Sequence, residues 1–301
     1  MALALSNPPI SQDWVGHTAT SDPGRFGPLI AAVPPEPEVI GTVARNVVAH
    51  YRGQADQLPQ RTRGDVNLRW MERILESDQR RGSCPLDVER AIGRRVQGCC
   101  RDHTLFAIAV MRQHGVPARS RVGFADYFNQ EGWHNDHVIA EYWDGARWRR
   151  FDPEAEPGVI ALADPHDMGS GPQSPFQTAA EVFTLMRSGA IDPLTYGVSP
   201  DTPFLGERFV VDEVFYELAH RYGDEVLLWD GWGEVDVPGS VSKEKFALAT
   251  EVAKLLLAAD AGSAEAETRL HQLYVNDPRL NPGGTVTQYS PFDDSSVTVT
   301  F

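Results

Sequence analysis

Cysteine is scarce: the chain has three among 301 residues, Cys84, Cys99 and Cys100. An odd number without a regular spacing excludes a disulfide-stapled scaffold and points to a reducing compartment. Basic residues are also in deficit, with 27 Lys and Arg against 42 Asp and Glu and a formal charge of −15. Such a balance repels phosphate backbones and anionic membrane surfaces, so neither nucleic acid nor membrane is expected as a partner. The acidity either favours basic or neutral substrates or belongs to a solvated surface. Long hydrophobic runs are missing: the N-terminal one stops at Leu5 with no basic residues before it, and none reaches the roughly 20 residues of a membrane span. We therefore expect a soluble, cytoplasmic chain. Internal repeats and low-complexity blocks are absent as well, and the length suffices for one large domain or two modest ones.

What is present falls into three parts: an N-terminal arm over 1–40, a core over 41–160 and an extension over 161–301. The arm is rich in turns, with "NPP", "SDPG" and "VPPEPE" breaking any long period. In the core, Val43, Val47, Val48 and Tyr51 space out a helix over 41–52, and Leu68, Met71, Ile74 and Leu75 a second over 66–79. A third should begin at Cys100 and run to Gly115, a residue suited to the left-handed position that ends a helix. Its middle, Leu105 to Met111, is apolar nearly all round, as in a helix buried at the centre of a domain. The period then changes to that of strands in "ARSRVGFADYF", "DHVIAEYW" and "RWRRFDP", the last two joined through Asp144-Gly145. The extension reads as helices near 178–188, 208–222 and 243–259, with short β-like pieces at the C-terminus.

The pair Cys99-Cys100 raises the question of which thiol carries chemistry. Amides at a helix N-terminus favour a thiolate, and a cysteine at the first turn, after Gly98, sits where they converge. Cys100 fits that place, whereas Cys84 and Cys99 read as small core hydrophobes. A thiolate nucleophile needs a base, and the base needs a partner to orient it. A two-residue turn at Asp144-Gly145 would set Trp143 opposite Ala146, Glu141 opposite Trp148 and His137 opposite Asp152. Opposed side chains have Cβ atoms about 4.5–5.5 Å apart, within reach of an imidazole–carboxylate hydrogen bond. His103, three residues after Cys100, is the local rival base, although packing or capping is the plainer role. His134 lies in "EGWHND" without a paired carboxylate; with Tyr127 and Trp133 it is a candidate to border a substrate cleft. A zinc set of Cys99, Cys100 and His103 with Cys84, His134 or His137 has poor spacing, with no C-x-x-C or H-x-x-x-H pair. Asp102 suits the first helical turn but opposes a thiolate, so a structural or arginine-paired role is expected. Arg119 and Arg121 alternate along a strand, toward solvent or an acidic neighbour.

The stretches "GCCRDHTLFAIAVMRQHGVPARSRVGF", "DHVIAEYWDGARW" and "RRFDPE" resemble the three motifs of the transglutaminase-like superfamily, cysteine enzymes related to papain-like proteases. "SDPGRFGPLIAAVP", "GDVNLRW", "EVFTLMRSGAIDPLTYG" and "VLLWDGWG" are similar to segments of bacterial stand-alone transglutaminase-like proteins. The resemblance implies an α+β fold, a central helix packed on an antiparallel sheet, here with a mainly helical C-terminal extension. It implies Cys100, His137 and Asp152 as catalytic residues, and no metal or organic cofactor. It implies acyl transfer from an amide or ester through a thioester, on a peptide or small-molecule acyl substrate, with water or an amine as acceptor. The backbone N–H of Cys100 would be one oxyanion donor, and Trp70 or Gln97 candidates for the second. The chain departs from that group at Phe151 to Glu154, reading "FDPE" where "VDAQ" is expected. Two alternatives stand beside it: a non-catalytic binding module on the same fold, and a tailoring enzyme joining an amine to an acyl group in a biosynthetic pathway.

Overall fold

Residues 14–128, 132–171, 173–235 and 241–301 are described by the computed structural model, so the first part of the expected arm lies outside the described residues. They divide into two compact units, one holding the described residues through Ser120 together with Val138–Met168, the other Arg121–His137 and Gly169–Phe301. The division is not linear in sequence, because residues 121–137 group with the C-terminal segment.

In the first unit, α1 (Gly27–Ala31) and α2 (Pro37–Val47) are followed directly by β1 (Val48–His50). Pro37 starts α2 at a position where a missing N–H costs nothing, and the helix is amphipathic, burying Ile40, Val43, Ala44 and Val47. The expected helix over 41–52 therefore ends early. Val48 turns extended because Val48, Ala49 and His50 pair in parallel with Val96, Gln97 and Gly98 of β2. Between them, α3 (Met71–Arg81) replaces the expected helix over 66–79. Its start is delayed by Arg69, whose φ of 30° breaks the turn that precedes it.

From β2 (Val96–Gly98) the chain enters α4 (Cys100–Gln113), buried along all but its last residue. Leu105, Phe106, Ile108, Val110 and Met111 pack with residues of α2, α3 and β1. The helix ends as expected at Gly115, with φ of 74° and its N–H on Arg112 O at 2.9 Å. The strands β3 (Ala118–Ala125), β4 (His134–Trp143) and β5 (Trp148–Phe151) follow.

The hairpin joining β4 to β5 corrects the expected register. Its loop has four residues rather than two, because Asp144 Oδ1 accepts from the N–H groups of Ala146 and Arg147 at 2.8 and 2.9 Å and Asp144 N–H donates to Arg147 O. Trp143 consequently faces Trp148, and Glu141 faces Arg150. The slip is by two positions, which preserves the inner and outer faces but changes every partner.

The second unit adds β6 (Phe176–Thr178) on β3, α5 (Ala179–Arg187), β7 (Tyr196–Gly197) in parallel with the start of β4, and α6 (Gly206–Arg221). A single antiparallel path, β5-β4-β3-β6, thus carries the sheet. After β8 (Asp230–Gly231) come α7 (Lys243–Asp260) and α8 (Ala264–Asn276), then the hairpin of β9 (Thr285–Tyr289) and β10 (Ser296–Thr300). The C-terminal region is mainly helical, as expected, with α8 an element the sequence reading missed. No helix among the described residues is long and apolar enough to cross a membrane.

Candidate active site

Gly98 and Asp102 set the start of α4. Asp102 sits at the third helical position, and its Oδ2 accepts the N–H of Cys99 at 2.9 Å, while Oδ1 accepts from buried Arg101 at 2.9 Å. The structural, arginine-paired role expected for Asp102 is what the geometry shows. Cys99 is the N-cap residue, buried, and its carbonyl receives the N–H groups of Asp102 and His103. Cys100, 5% exposed, occupies the first helical position, where an amide has no acceptor within the helix. All three cysteines are free thiols; Cys84 is half-buried rather than a core residue.

One turn further along α4, Thr104 Oγ1 donates to Val138 O at 2.8 Å. This bond pins β4 to the helix beside His137, the residue covalently before Val138. Cys100 Sγ, a ring nitrogen of His137 and a carboxylate oxygen of Glu154 lie within 4.8 Å of one another. Glu154 arrives there through a turn that follows β5. Asp152, 1% exposed, forms it by accepting the N–H groups of Glu154 and Ala155 on Oδ1 at 2.8 and 3.2 Å, while Arg45 of α2 donates to Pro153 O and Ala155 O. The observed register pairs Ala140 with Phe151, the last residue of β5, so Asp152 lies past the end of the ladder and the expected pairing of His137 with Asp152 is not formed. Glu154 is the site residue that sequence reasoning missed. The signal was the length of the Asp144 loop, which alone decides the count.

Tyr127 and Phe128 meet His137 edge-on, with ring centroids at 5.9 and 4.8 Å. Tyr127 thus packs on the histidine expected to act as base. Trp133 is buried, and His134 opens β4 stacked on Tyr196 at 4.1 Å with planes 7° apart. Burial pushes the His134 ring below its ordinary pKa, with Asp126 opposing that shift. His103, the rival base, is 2% exposed, has Nδ1 3.0 Å from Cys99 O and lies 3.7 Å from Glu154 Oε2. Burial lowers its pKa too, which keeps it neutral near pH 7. Gln97, a candidate oxyanion donor, has Nε2 on Pro59 O at 2.8 Å and Thr62 Oγ1 at 2.7 Å, so its amide hydrogens anchor the preceding segment. Trp70, the other candidate, precedes α3 with the Arg69 guanidinium over its ring at 5.7 Å. The donor types at the cluster, one sulfur, one imidazole nitrogen and one carboxylate, suit both thiol catalysis and a borderline-soft metal ion.

Residues 44–153 match the model of the transglutaminase-like superfamily core. This segment is similar to a transglutaminase-like core. Among solved structures, a protein from Cytophaga hutchinsonii provisionally described as a cysteine protease is similar over 47% of this chain and 40% of its own, with 18% identity and a TM-score of 0.32. No curated protein matches the chain. The matched segment contains α4 with Cys100, both strands of the hairpin with His137, and Asp152, and it stops one residue short of Glu154.

Proposed function

We propose that the chain is a thiol enzyme that transfers an acyl group from an amide or ester, with Cys100 as nucleophile, His137 as base and Asp152 as the orienting carboxylate. The observation that carries this reading is the meeting of Cys100, at the first position of α4, with a ring nitrogen of His137 inside 4.8 Å. The helix N-terminus favours negative charge at that position. The Cys100 proton passes to His137, and the sulfur attacks the carbonyl carbon. The tetrahedral oxyanion is met by the N–H of Cys100. The bond to the leaving nitrogen or oxygen breaks as that atom takes the proton from His137, leaving a thioester. Water or an amine then attacks the thioester, gives its proton to His137, and the thiol is restored. Tyr127 and Phe128 hold the imidazole from the side, and the buried Asp152 is the carboxylate that would fix its orientation.

p-Nitrophenyl acetate supplies a test that needs no knowledge of the physiological substrate. The expected result is a burst of nitrophenolate with acetylation confined to the peptide carrying Cys99 and Cys100. Cys99→Ala should keep the burst, whereas Cys100→Ala and His137→Ala should lose it. Acetylation surviving in Cys100→Ala would overturn the assignment.

A further inference from the structure

Catalysis by a cysteine and a histidine does not call for Glu154, yet its carboxylate shares the 4.8 Å cluster with both. Cys100 and His137 are buried at 5% and 3% exposure, and the Glu154 side chain is 16% exposed. We propose that Cys100, His137 and Glu154 together form a binding site for one zinc-class divalent cation, and that occupation of this site withholds the thiol from acyl transfer.

Three observations carry it. First, the distances suit a small ion: tetrahedral zinc with bonds of about 2.0–2.3 Å needs ligand atoms about 3.3–3.6 Å apart. Separations of at most 4.8 Å therefore exceed those of a loaded site by no more than about 1.5 Å. Second, the ligand set selects the metal. A thiolate with an imidazole favours zinc over magnesium or calcium, which prefer all-oxygen shells. Third, the charges cancel, because one thiolate and one carboxylate match a dication around a neutral imidazole, an arrangement a buried site tolerates. The turn that delivers Glu154 is also held in place, because Arg45 donates to Pro153 O and Ala155 O. Binding releases the Cys100 proton and forms a sulfur–metal bond, with no change of oxidation state. Three protein ligands leave a fourth position for water. The zinc set weighed from the sequence, built on Cys99 and His103, is a different one. In the structure Cys99 caps the helix and His103 is packed on its carbonyl.

Only the loss of acyl transfer rests on the function proposed above; the cation site does not. The test therefore has two arms. In the first, the alkylation rate of Cys100 by iodoacetamide is measured on the full chain with zinc sulfate, with magnesium sulfate, and after EDTA. Zinc should slow alkylation about tenfold or more, EDTA should restore it, and magnesium should leave it unchanged. Glu154→Gln should weaken zinc about tenfold or more by chelator competition. In the second arm, cobalt chloride titrated into the wild-type chain should give a thiolate-to-cobalt charge-transfer band with tetrahedral d–d intensity, a readout independent of how the variant folds. Unchanged alkylation under excess zinc, or no charge-transfer band, overturns the site. A missing nitrophenolate burst in zinc-free protein that still gives the cobalt band overturns the catalytic reading instead.

Discussion

Gly98 does not adopt a left-handed conformation; its value lies in the space a side chain would take. A Cβ there would meet Asp102 Oδ2 at 2.7 Å, Asp102 Cβ at 2.9 Å and Val48 Cγ1 at 2.9 Å. Asp102 caps the helix that carries Cys100, and Val48 belongs to the strand paired with Val96. Gly98→Ala must therefore displace the cap or splay β1 from β2. We expect it to cost about 1–3 kcal/mol, read from the denaturation midpoint, and to slow alkylation of Cys100. Gly93→Ala, where a Cβ meets nothing nearer than 3.8 Å, should change neither quantity and serves as the control. A Gly98→Ala chain as stable and as reactive as the wild type would refute the argument. The place of Cys100 at the start of α4 was legible in the sequence because a glycine, a helix start and an apolar helix follow one another in the chain. Glu154 was not, because its place depends on a turn built by Asp152 and on a loop length that "WDGA" leaves open. Gln97 was misread for a related reason: its neighbours Pro59 and Thr62 are distant in sequence.

At the scale of elements, periodicity located α4, α5, α6 and α7 and missed α8, and it gave no sign of the charge that some of these helices bury. On α6, Glu213 and Glu217 are each 1% exposed, so the helix buries carboxyl groups. Arg121 of β3 explains part of this, donating to Glu217 at 2.7 Å and to Asp260 of α7 at 2.6 Å. Glu213 is different. Its Oε2 is buried without a hydrogen-bond partner among the described residues. Burial, together with Asp136, Asp212 and Glu217 nearby, raises its pKa well above the carboxylate range. Burial also raises Asp212, to about 6, against the attraction of Lys245 and Arg208. Both groups keep protons in the folded chain at pH values where the unfolded chain has lost them. Their contribution to stability is thus complete below the ordinary carboxylate range and lost as pH rises through the folded values. The melting temperature should fall between pH 5 and pH 8, and Glu213→Gln, which keeps the shape of the neutral acid, should flatten that fall. A variant whose melting curve tracks the wild type across this range would show that Glu213 is ionised without cost.

The whole molecule carries the charge noted at the outset, −15, and the structure shows how unevenly its ion pairs can answer it. Arg221 with Glu267, Arg121 with Glu217 and Arg119 with Glu141 are pairs with both side chains at or below 5% exposure. Dissolved salt does not reach them. Pairs such as Arg25 with Glu76 and Arg269 with Glu251 have arginines 65% and 67% exposed, and contribute about 0–1 kcal/mol each. Excess acidic charge on the surface, by contrast, repels over the full Debye length, about 30 Å at 0.01 M salt and about 10 Å at 0.1 M. Adding sodium chloride across that range therefore removes long-range repulsion while weakening only the exposed pairs, and the larger effect is the repulsion. The melting temperature should rise with salt at neutral pH. A fall would mean that the exposed pairs outweigh the net charge. The same rise should shrink in a chain with exposed Glu residues changed to Gln away from α4 and the Asp152 turn, such as Glu244 and Glu265, because less repulsion is left to screen. If the rise persists undiminished there, salt is acting on apolar burial rather than on charge.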